Sequence, residues 1–358
     1  MNRFRSFLVM CGLGLIAAAC TTPPSSPPVP PLPDAPAATI SAGYGSSCAL
    51  MVDTTVRCWG LAKPPANQSG VPTIHKIPVQ VPGLTGAVEV ATGTDEDCAR
   101  MPDGTVGCWG SGPLGDGTTS SSSTPVPVAG ISNAVSLSGD WPCAALADGT
   151  VRCWGRQIGT TPVTVAGLSN AVSVHGSCAI LADGSVSCWT IAMVAAPLAG
   201  LSDVVALDAP GGSFQGCAVT ADGTAHCWGS GYNGQLGDGT YTPWSPTPVT
   251  VSGLTDVVDV AMAGTNGACA SLADGTVRCW GDNSAGQLGN GSTIEKSSLP
   301  VNVSGLTHAV AVSGSSPGHM CALLDDGQGR CWGDNEYGQL GNGSQTNSNL
   351  PVKVQGLS

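Results

Sequence analysis

Seven pairs of cysteines share one spacing, and that spacing constrains the fold more than any other feature of the chain. Each pair brackets nine residues: Cys48/Cys58, Cys98/Cys108, Cys143/Cys153, Cys178/Cys188, Cys217/Cys227, Cys269/Cys279 and Cys321/Cys331. The second cysteine is always followed by tryptophan: Trp59, Trp109, Trp154, Trp189, Trp228, Trp280 and Trp332. The tryptophans recur at intervals of 50, 45, 35, 39, 52 and 52 residues, which means a repeat architecture.

The copy Cys269 to Cys279 shows what the unit is physically. Ala273-Asp274-Gly275 lies at its middle, flanked by Leu272 and Thr276. A three-residue hairpin loop wants glycine at its third, left-handed position. Gly104, Gly149, Gly184, Gly223 and Gly327 occupy the same place in five other copies, whereas Thr54 replaces it in the first, where a looser or different turn is expected. Counting outward from the closing pair Leu272/Thr276, Cys269 falls opposite Cys279 in a non-hydrogen-bonded pair. Cα atoms there approach to about 4.5 Å, within disulfide range. The unit therefore reads as a stapled hairpin and the compartment as an oxidising one. Reduced, buried thiols are the other reading; zinc ligands would usually come as C-x₂₋₄-C. Cys and Trp alternate faces, which places Trp between neighbouring repeats.

The fullest copy adds a strand before the hairpin, Val257 to Ala261, and one after it, Leu299 to Val303, preceded by the loop Gly286-Gln287-Leu288-Gly289-Asn290-Gly291. Four strands per unit and no helical pattern point to a closed ring of seven all-β blades. The chain starts inside a repeat at Ile40 and ends on a lone last-type strand from Leu350 to Leu357, so docking one end on the other is expected to remove both edges.

The pattern C-A-x-L-x-D-G-x-V-x-C-W-G-x-N-x-x-G-Q-L-G-x-G resembles the regulator of chromosome condensation repeat. Cys269 to Gly291 and Cys321 to Gly343 carry it best, with Cys217 to Gly239 close behind. The resemblance implies a seven-bladed β-propeller of that type. It brings with it a eukaryotic archetype that is a chromatin-bound nucleotide exchange factor for a small GTPase, and a secreted member that grips a β-lactamase with one rim. This chain looks like the exported, disulfide-stapled bacterial branch. Blades three and four lack the GQLG loop and are short, blade four has Thr190 where glycine follows tryptophan, and blade one carries an insert from Leu61 to Val79. A ring thin at blades three and four is expected.

The start of the chain reads as a lipoprotein signal peptide, residues 1–20. Arg3 and Arg5 precede an apolar run, Phe7 to Ala19, that ends at Ala17-Ala18-Ala19-Cys20, with Cys20 the residue to be acylated. Cleavage at an ordinary small-residue site, giving a secreted protein, is the alternative. Residues 21–38 are a proline-rich tether, and residues 39–358 are the propeller. The expected location is the bacterial cell envelope, facing periplasm or exterior. A net charge of −12 without a basic stripe disfavours nucleic acid as a partner.

No catalytic residue, metal ligand set or cofactor motif emerges. His75, His175, His226, His308 and His319 form no metal-ligand spacing, and Gly314-Ser315-Ser316-Pro317-Gly318 matches a nucleophile motif only in a loop between strands. Function in a repeat scaffold lives where the repeat varies. The loops before each first cysteine vary most and should open on one rim. Tyr44, Asp95, Glu96, Trp141, His175, Phe214 and His319 lie in them and are the candidate binding residues. The expected function is a monomeric, membrane-tethered module that binds an extracytoplasmic protein or glycan. A lyase or hydrolase using Asp95, Glu96, His175 or His319 is the alternative and requires those side chains to converge. Exchange-factor activity rests on the family analogy alone.

Overall fold

The structure is a computed structural model that describes residues 37–66, 72–211 and 214–357. Those residues form seven four-stranded antiparallel sheets, each built from four consecutive strands. They comprise blade one (37–80), two (89–127), three (134–164), four (171–197), five (204–250), six (257–302) and seven (309–353). At six of the seven junctions the first strands of adjacent blades touch, so these strands line the axis of a ring. The proposed signal peptide, Cys20 and nearly all of the tether lie outside the described residues.

Hairpin chemistry sets the register. In blade six Leu272 N–H donates to Thr276 O and Gly275 N–H returns to Leu272 O, both at 2.9 Å. Gly275 sits at φ +81°, in the left-handed region where a Cβ is strained. Cys269 then faces Cys279, and the same register recurs in all seven blades. Every pair is a disulfide: Cys48–Cys58, Cys98–Cys108, Cys143–Cys153, Cys178–Cys188, Cys217–Cys227, Cys269–Cys279 and Cys321–Cys331, one per blade. Their Cα–Cα distances of 4.0–4.1 Å are shorter than the 4.5 Å or so expected for a plain non-hydrogen-bonded pair, since the sulfur bridge draws the two strands together. The first hairpin departs from expectation by not loosening: Thr54 itself takes φ 67° and keeps the same turn. Asp53 clamps that turn by accepting from both the N–H and the hydroxyl of Thr55.

Alternation across the staple sends cysteine and tryptophan to opposite faces, and this builds the core. Cys48, Leu50 and Val56 of blade one pack with Val90, Ala99 and Trp109 of blade two. On the other face of blade one, Ala49, Met51 and Trp59 pack with Cys321, Cys331, Leu323 and Leu340 of blade seven. The junctions further round the ring repeat the scheme: Cys98 and Cys108 meet Trp154, Cys143 and Cys153 meet Trp189, Cys178 and Cys188 meet Trp228, and Cys217 and Cys227 meet Trp280. The GQLG loops complete three of these junctions. The indole N–H groups of Trp280, Trp332 and Trp59 donate to the backbone oxygens of Gln235, Gln287 and Gln339 of the preceding blade, at 3.0, 2.9 and 2.8 Å. The fit leaves no room at the second glycine of the loop, where a Cβ on Gly341 would lie 2.8 Å from Trp59 Nε1. Blade three has no such loop. Met193 and Ala195 of blade four cover the gap through bonds with Ala166, and the indole N–H groups of Trp189 and Trp154 are left buried without partners.

Ring closure differs from expectation. Among the described residues the seventh sheet is complete from its own strands, and none is exchanged between blades one and seven. Closure comes instead from packing of Ala37 and Ile40 against Leu323, Val354 and Leu357, and from two backbone bonds, Ala37 N–H to Gly327 O at 3.3 Å and Gly343 N–H to Lys76 O at 2.9 Å. The outermost strands keep their free edges, and prolines such as Pro125, Pro248, Pro300 and Pro351 blunt them. In blade four the outermost strand is only Ala196–Pro197, the thinness expected there.

Hydrogen bonds also run around the axis. Each uses a first-strand side chain that accepts from a backbone N–H of the next blade: Ser41 from Thr92, Glu89 from Leu137, Ser136 from Val174, Asp208 from Met262, Asp259 from Val312 and Ser313 from Ala42. Among the described residues, the junction between blades four and five has no such bond. There Ser173 bonds His175 of its own strand instead.

Trp332→Phe should therefore destabilise the ring by about 1 kcal/mol more than Trp189→Phe, because only the former breaks a hydrogen bond and strands a carbonyl. Urea midpoints of the two variants measure this. Equal costs would show that the tryptophan-to-carbonyl bonds do not hold the blades together.

Candidate binding rim

Strand direction sorts the loops onto two rims. The hairpin tips and the blade-to-blade connections lie on one; the loops before each first cysteine and after each tryptophan lie on the other. On the hairpin rim an aspartate such as Asp274 accepts from the N–H and hydroxyl of the residue two positions on, here Thr276 at 2.9 and 2.7 Å. Those hydroxyl and amide bonds hold the carboxyls of Asp53, Asp103, Asp148, Asp183 and Asp274 below the usual range, and Asp222 at about 2. These residues are turn clamps.

The opposite rim carries every aromatic side chain of the described residues that is not buried: Tyr44, Phe214, Tyr232, Tyr241, Trp244 and, half-buried, Tyr337. Blade five supplies four of them. Phe214 is 61 % exposed, Tyr232 65 %, Tyr241 48 % and Trp244 48 %. Lys296 of blade six crosses to them: its Nζ lies 4.8 Å from the Tyr241 ring centroid and donates to Tyr232 O at 3.4 Å. Beside this contact a groove of about 240 Å³ is lined by Tyr241, Ile294, Lys296 and Leu299. A second, smaller aromatic site lies at the junction of blades seven and one, where Tyr337 packs over Gly45, next to Tyr44.

The structure divides the sequence-derived candidates. Tyr44 and Phe214 are on the rim and open to solvent. Trp141 is not: its ring packs against Gly211 of blade five, where a Cβ would lie 2.5 Å from the indole, and it is buried as a brace across the short loop of blade four. His319 is also buried, at the junction of blades seven and one, with Nε2 2.9 Å from Ser47 Oγ. Burial lowers its pKa to about 4, so it is neutral. His175 is likewise lowered to about 4 by burial, and its Nε2 lies 3.2 Å from Ser173 Oγ. Glu96 is buried, while Asp95 is half-exposed and pairs with Arg156 at 3.3 Å. Asp95 and Glu96 stand in blade two, His175 in blade four and His319 against blade one, and no hydrogen bond joins any two of them. The convergence an enzyme would need at these four residues is not there.

The cysteines belong to the core and not to the rim. Cys108, Cys153, Cys227, Cys279 and Cys331, the second members of five staples, are buried, as are all seven first members; Cys58 and Cys188 are half-buried. The reading of reduced thiols falls, because each sulfur is bonded to its partner. Among the described residues sulfur and an acid gather at Cys48 and Cys58 beside Asp97, and this is no metal centre for the same reason: a disulfide has no thiolate to offer.

A residue the sequence reading passed over organises the inner part of this rim. Lys63, on the extended third strand of blade one, places Nζ 2.7 Å from Asp97 Oδ1, with side-chain exposures of 2 % and 3 %. It also donates to Gly93 O. Burial raises the Asp97 pKa against the pull of Lys63. Glu96 is pushed up to about 8 by burial, which outweighs the attraction of Lys63. Asp140 of blade three, near the same amine, is pushed up to about 6, and on the axis Asp208 and Asp259 rise to about 7 and 6, again by burial. The available signal was the run Asp95-Glu96-Asp97 directly before Cys98. A strand start that buries two of three acids needs a counter-charge, and the blade-one insert holds the nearby lysine.

Comparison with known proteins agrees with this geometry. Profiles described as the regulator of chromosome condensation (RCC1) repeat match residues 204–235 and 257–287, and residues 222–270, 274–323 and 327–358. The chain is similar to human E3 ubiquitin-protein ligase HERC2, 35% identical over 135 residues, 36% of this chain and 3% of that protein. It is similar to human protein RCC2, 37% identical over 96 residues, 25% of this chain and 18% of that one. The matched segments thus span under a fifth of these relatives. Among solved structures, yeast RCC1 (Prp20) bound to Kap60 superposes with a TM-score of 0.69 at 21% identity, covering 84% of this chain and 83% of that one. Human WBSCR16 gives 0.51 at 22% identity over 89% and 82%. Both structures share the fold.

The buried acids make stability pH-dependent. A carboxyl whose folded pKa stands above its unfolded value favours the fold most below the unfolded pKa, and that advantage is lost as pH rises through the folded one. For Glu96 the window runs from about pH 4.5 to about 8. Glu96→Gln should thus gain stability relative to the parent between pH 5 and pH 8, on the order of 2–4 kcal/mol. Denaturant titrations at the two pH values check it; a constant difference would mean that Glu96 is charged throughout.

Proposed function

The chain belongs to the regulator of chromosome condensation repeat family, and from that premise we propose that it is a protein-binding propeller of the cell envelope whose contact surface is the aromatic rim centred on blade five. The observation that carries the reading is the one-sided distribution of accessible rings. Rigid aromatics supply large contact area at low entropic cost, and they dominate protein hot spots. Lys296 stacked on Tyr241 adds a cation to a rim that is otherwise poor in them. A glycan would find the same rings and is the second ligand class. The coarser statement, a propeller suited to binding protein, rests on the fold. The choice of rim and of envelope location is our reading. Seven disulfides in one domain support an oxidising compartment, and Cys20 is the residue we assign to the lipid anchor. Such a compartment would separate the chain from a cytosolic GTPase.

Replacing Phe214 and Trp244 together by alanine should weaken capture of envelope proteins by the purified domain at least tenfold, a loss of about 1.4 kcal/mol or more. Both side chains are exposed, so the thermal midpoint should not move. Quantitative pull-downs with parent and variant provide the measurement. Identical capture by the two would reject this rim. Cys20→Ser should shift the full-length protein from the membrane to the soluble fraction; unchanged fractionation would reject the anchor.

A further inference from the structure

We propose that the hairpin rim is a second docking face, where a ring of valines around the axis takes the apolar tip of a basic protein segment. This inference is independent of the aromatic rim. It starts from an irregularity that the blades share. In the first strands of blades one, three, four, five, six and seven the pairing register skips one residue: Ala38, Val135, Val172, Val205, Val258 and Val310. A β-bulge of this kind leaves one residue unpaired and re-aims its side chain. In blade two Val88 stands at the same place, one residue ahead of the first strand, with its N–H on Arg100 O at 2.9 Å.

The bulges put apolar side chains in water at one end of the axis. Val88, Val135, Val172, Val205 and Val310 are 39–52 % exposed, Ala38 is exposed and Val258 half-buried. Each bulge lies beside a hairpin turn. Val310, for example, follows Ala309, whose partner Leu324 closes the turn by donating to Gln328 O at 2.9 Å. The first strands line the axis, so these residues surround its opening on the hairpin rim. A single exposed valine needs no explanation, but the same exposure at one position of five blades makes a patch.

Charge selects the occupant. Asp203 and Asp256, both exposed, directly precede the axial strands of blades five and six. The turn-clamp aspartates of the hairpins stand just outside the valines, and their hydroxyl and amide bonds keep them ionised. The arginines of this rim are on third strands, further from the axis. Arg57, Arg152 and Arg278 donate to the carbonyls of Gly356, Gly130 and Gly253, and Arg330 to Gln328 Oε1. An apolar centre inside a ring of carboxylates is the anatomy of a protein interface, and its complement is an apolar tip between lysines or arginines. An anionic bilayer would meet the carboxylates with like charge, and so would the same rim of a second copy.

The test is fluorescence anisotropy of the full-length protein with labelled synthetic peptides: lysines flanking a Leu-Val-Leu core, the same lysines flanking serines, and the Leu-Val-Leu core flanked by glutamates. The first peptide should bind about tenfold tighter than either twin, and should loosen as salt rises from about 50 mM to about 500 mM. Val135→Ser, Val172→Ser and Val205→Ser combined should abolish the preference for the apolar core. All three side chains are exposed, so the thermal midpoint should not move. Leu350→Ser, at an exposed leucine on the outermost strand of blade seven, should keep the preference. No binding by the parent protein, equal affinity for the two lysine peptides, an undiminished preference in the triple variant or a matching loss in Leu350→Ser would overturn the proposal. So would valine-dependent recruitment to phosphatidylcholine vesicles, which would make the contact one with lipid.

Discussion

Sulfur facing sulfur across a two-stranded ribbon is the constraint on which the rest of this molecule depends. A staple at a non-hydrogen-bonded pair forbids a slip of one residue, because such a slip would turn every side chain to the other face. With the register held, the cysteine face of each blade meets the tryptophan face of the next, as Cys48 and Trp109 show. A domain with few charges and many glycines gains from such staples, each of which closes a ten-residue separation and reduces the freedom of the unfolded chain. The indole N–H bond to the preceding blade's Gln carbonyl then ties one staple to the next.

The ring is regular where these devices are complete and irregular where they are missing. Blades five, six and seven carry the GQLG loop and pass a carbonyl to the next tryptophan. Blades two and three do not, and the indoles of Trp154 and Trp189 are left without acceptors. The same part of the ring has the two-residue outer strand of blade four. It also has the one junction, between blades four and five, without an axial hydrogen bond among the described residues. The exposed aromatics cluster on blade five, beside this weaker seam and not within it.

Much of this was legible in the sequence because it rests on local chemistry. The Asp-Gly hairpins, the staple register, the four-strand unit and the thin fourth blade all follow from spacing and turn residues. The rest depends on contacts between residues far apart in the chain. Thr54 holds a left-handed turn that composition disfavours, because Asp53 clamps it. The chain's ends meet through Ile40 and Leu357 and not through a shared strand. Loop position alone placed Trp141 and His319 on the rim; packing against Gly211 and Ser47 takes them off it. Lys63 was invisible because its partner lies 34 residues away in another blade. Tyr232, in the loop after the tryptophan, and Trp244, at the start of the strand that follows it, prove as exposed as the residues favoured in the loops before cysteine.

The rim, the core and the inner acidic cluster are all arranged by which face each residue takes, and that in turn rests on the pairing of the cysteines. Non-reducing proteolytic mapping of the oxidised protein tests this most directly. The account predicts seven linkages, each between cysteines ten positions apart and each within one hairpin. A bond between cysteines of different blades, or a free thiol at any of the fourteen positions, would contradict it.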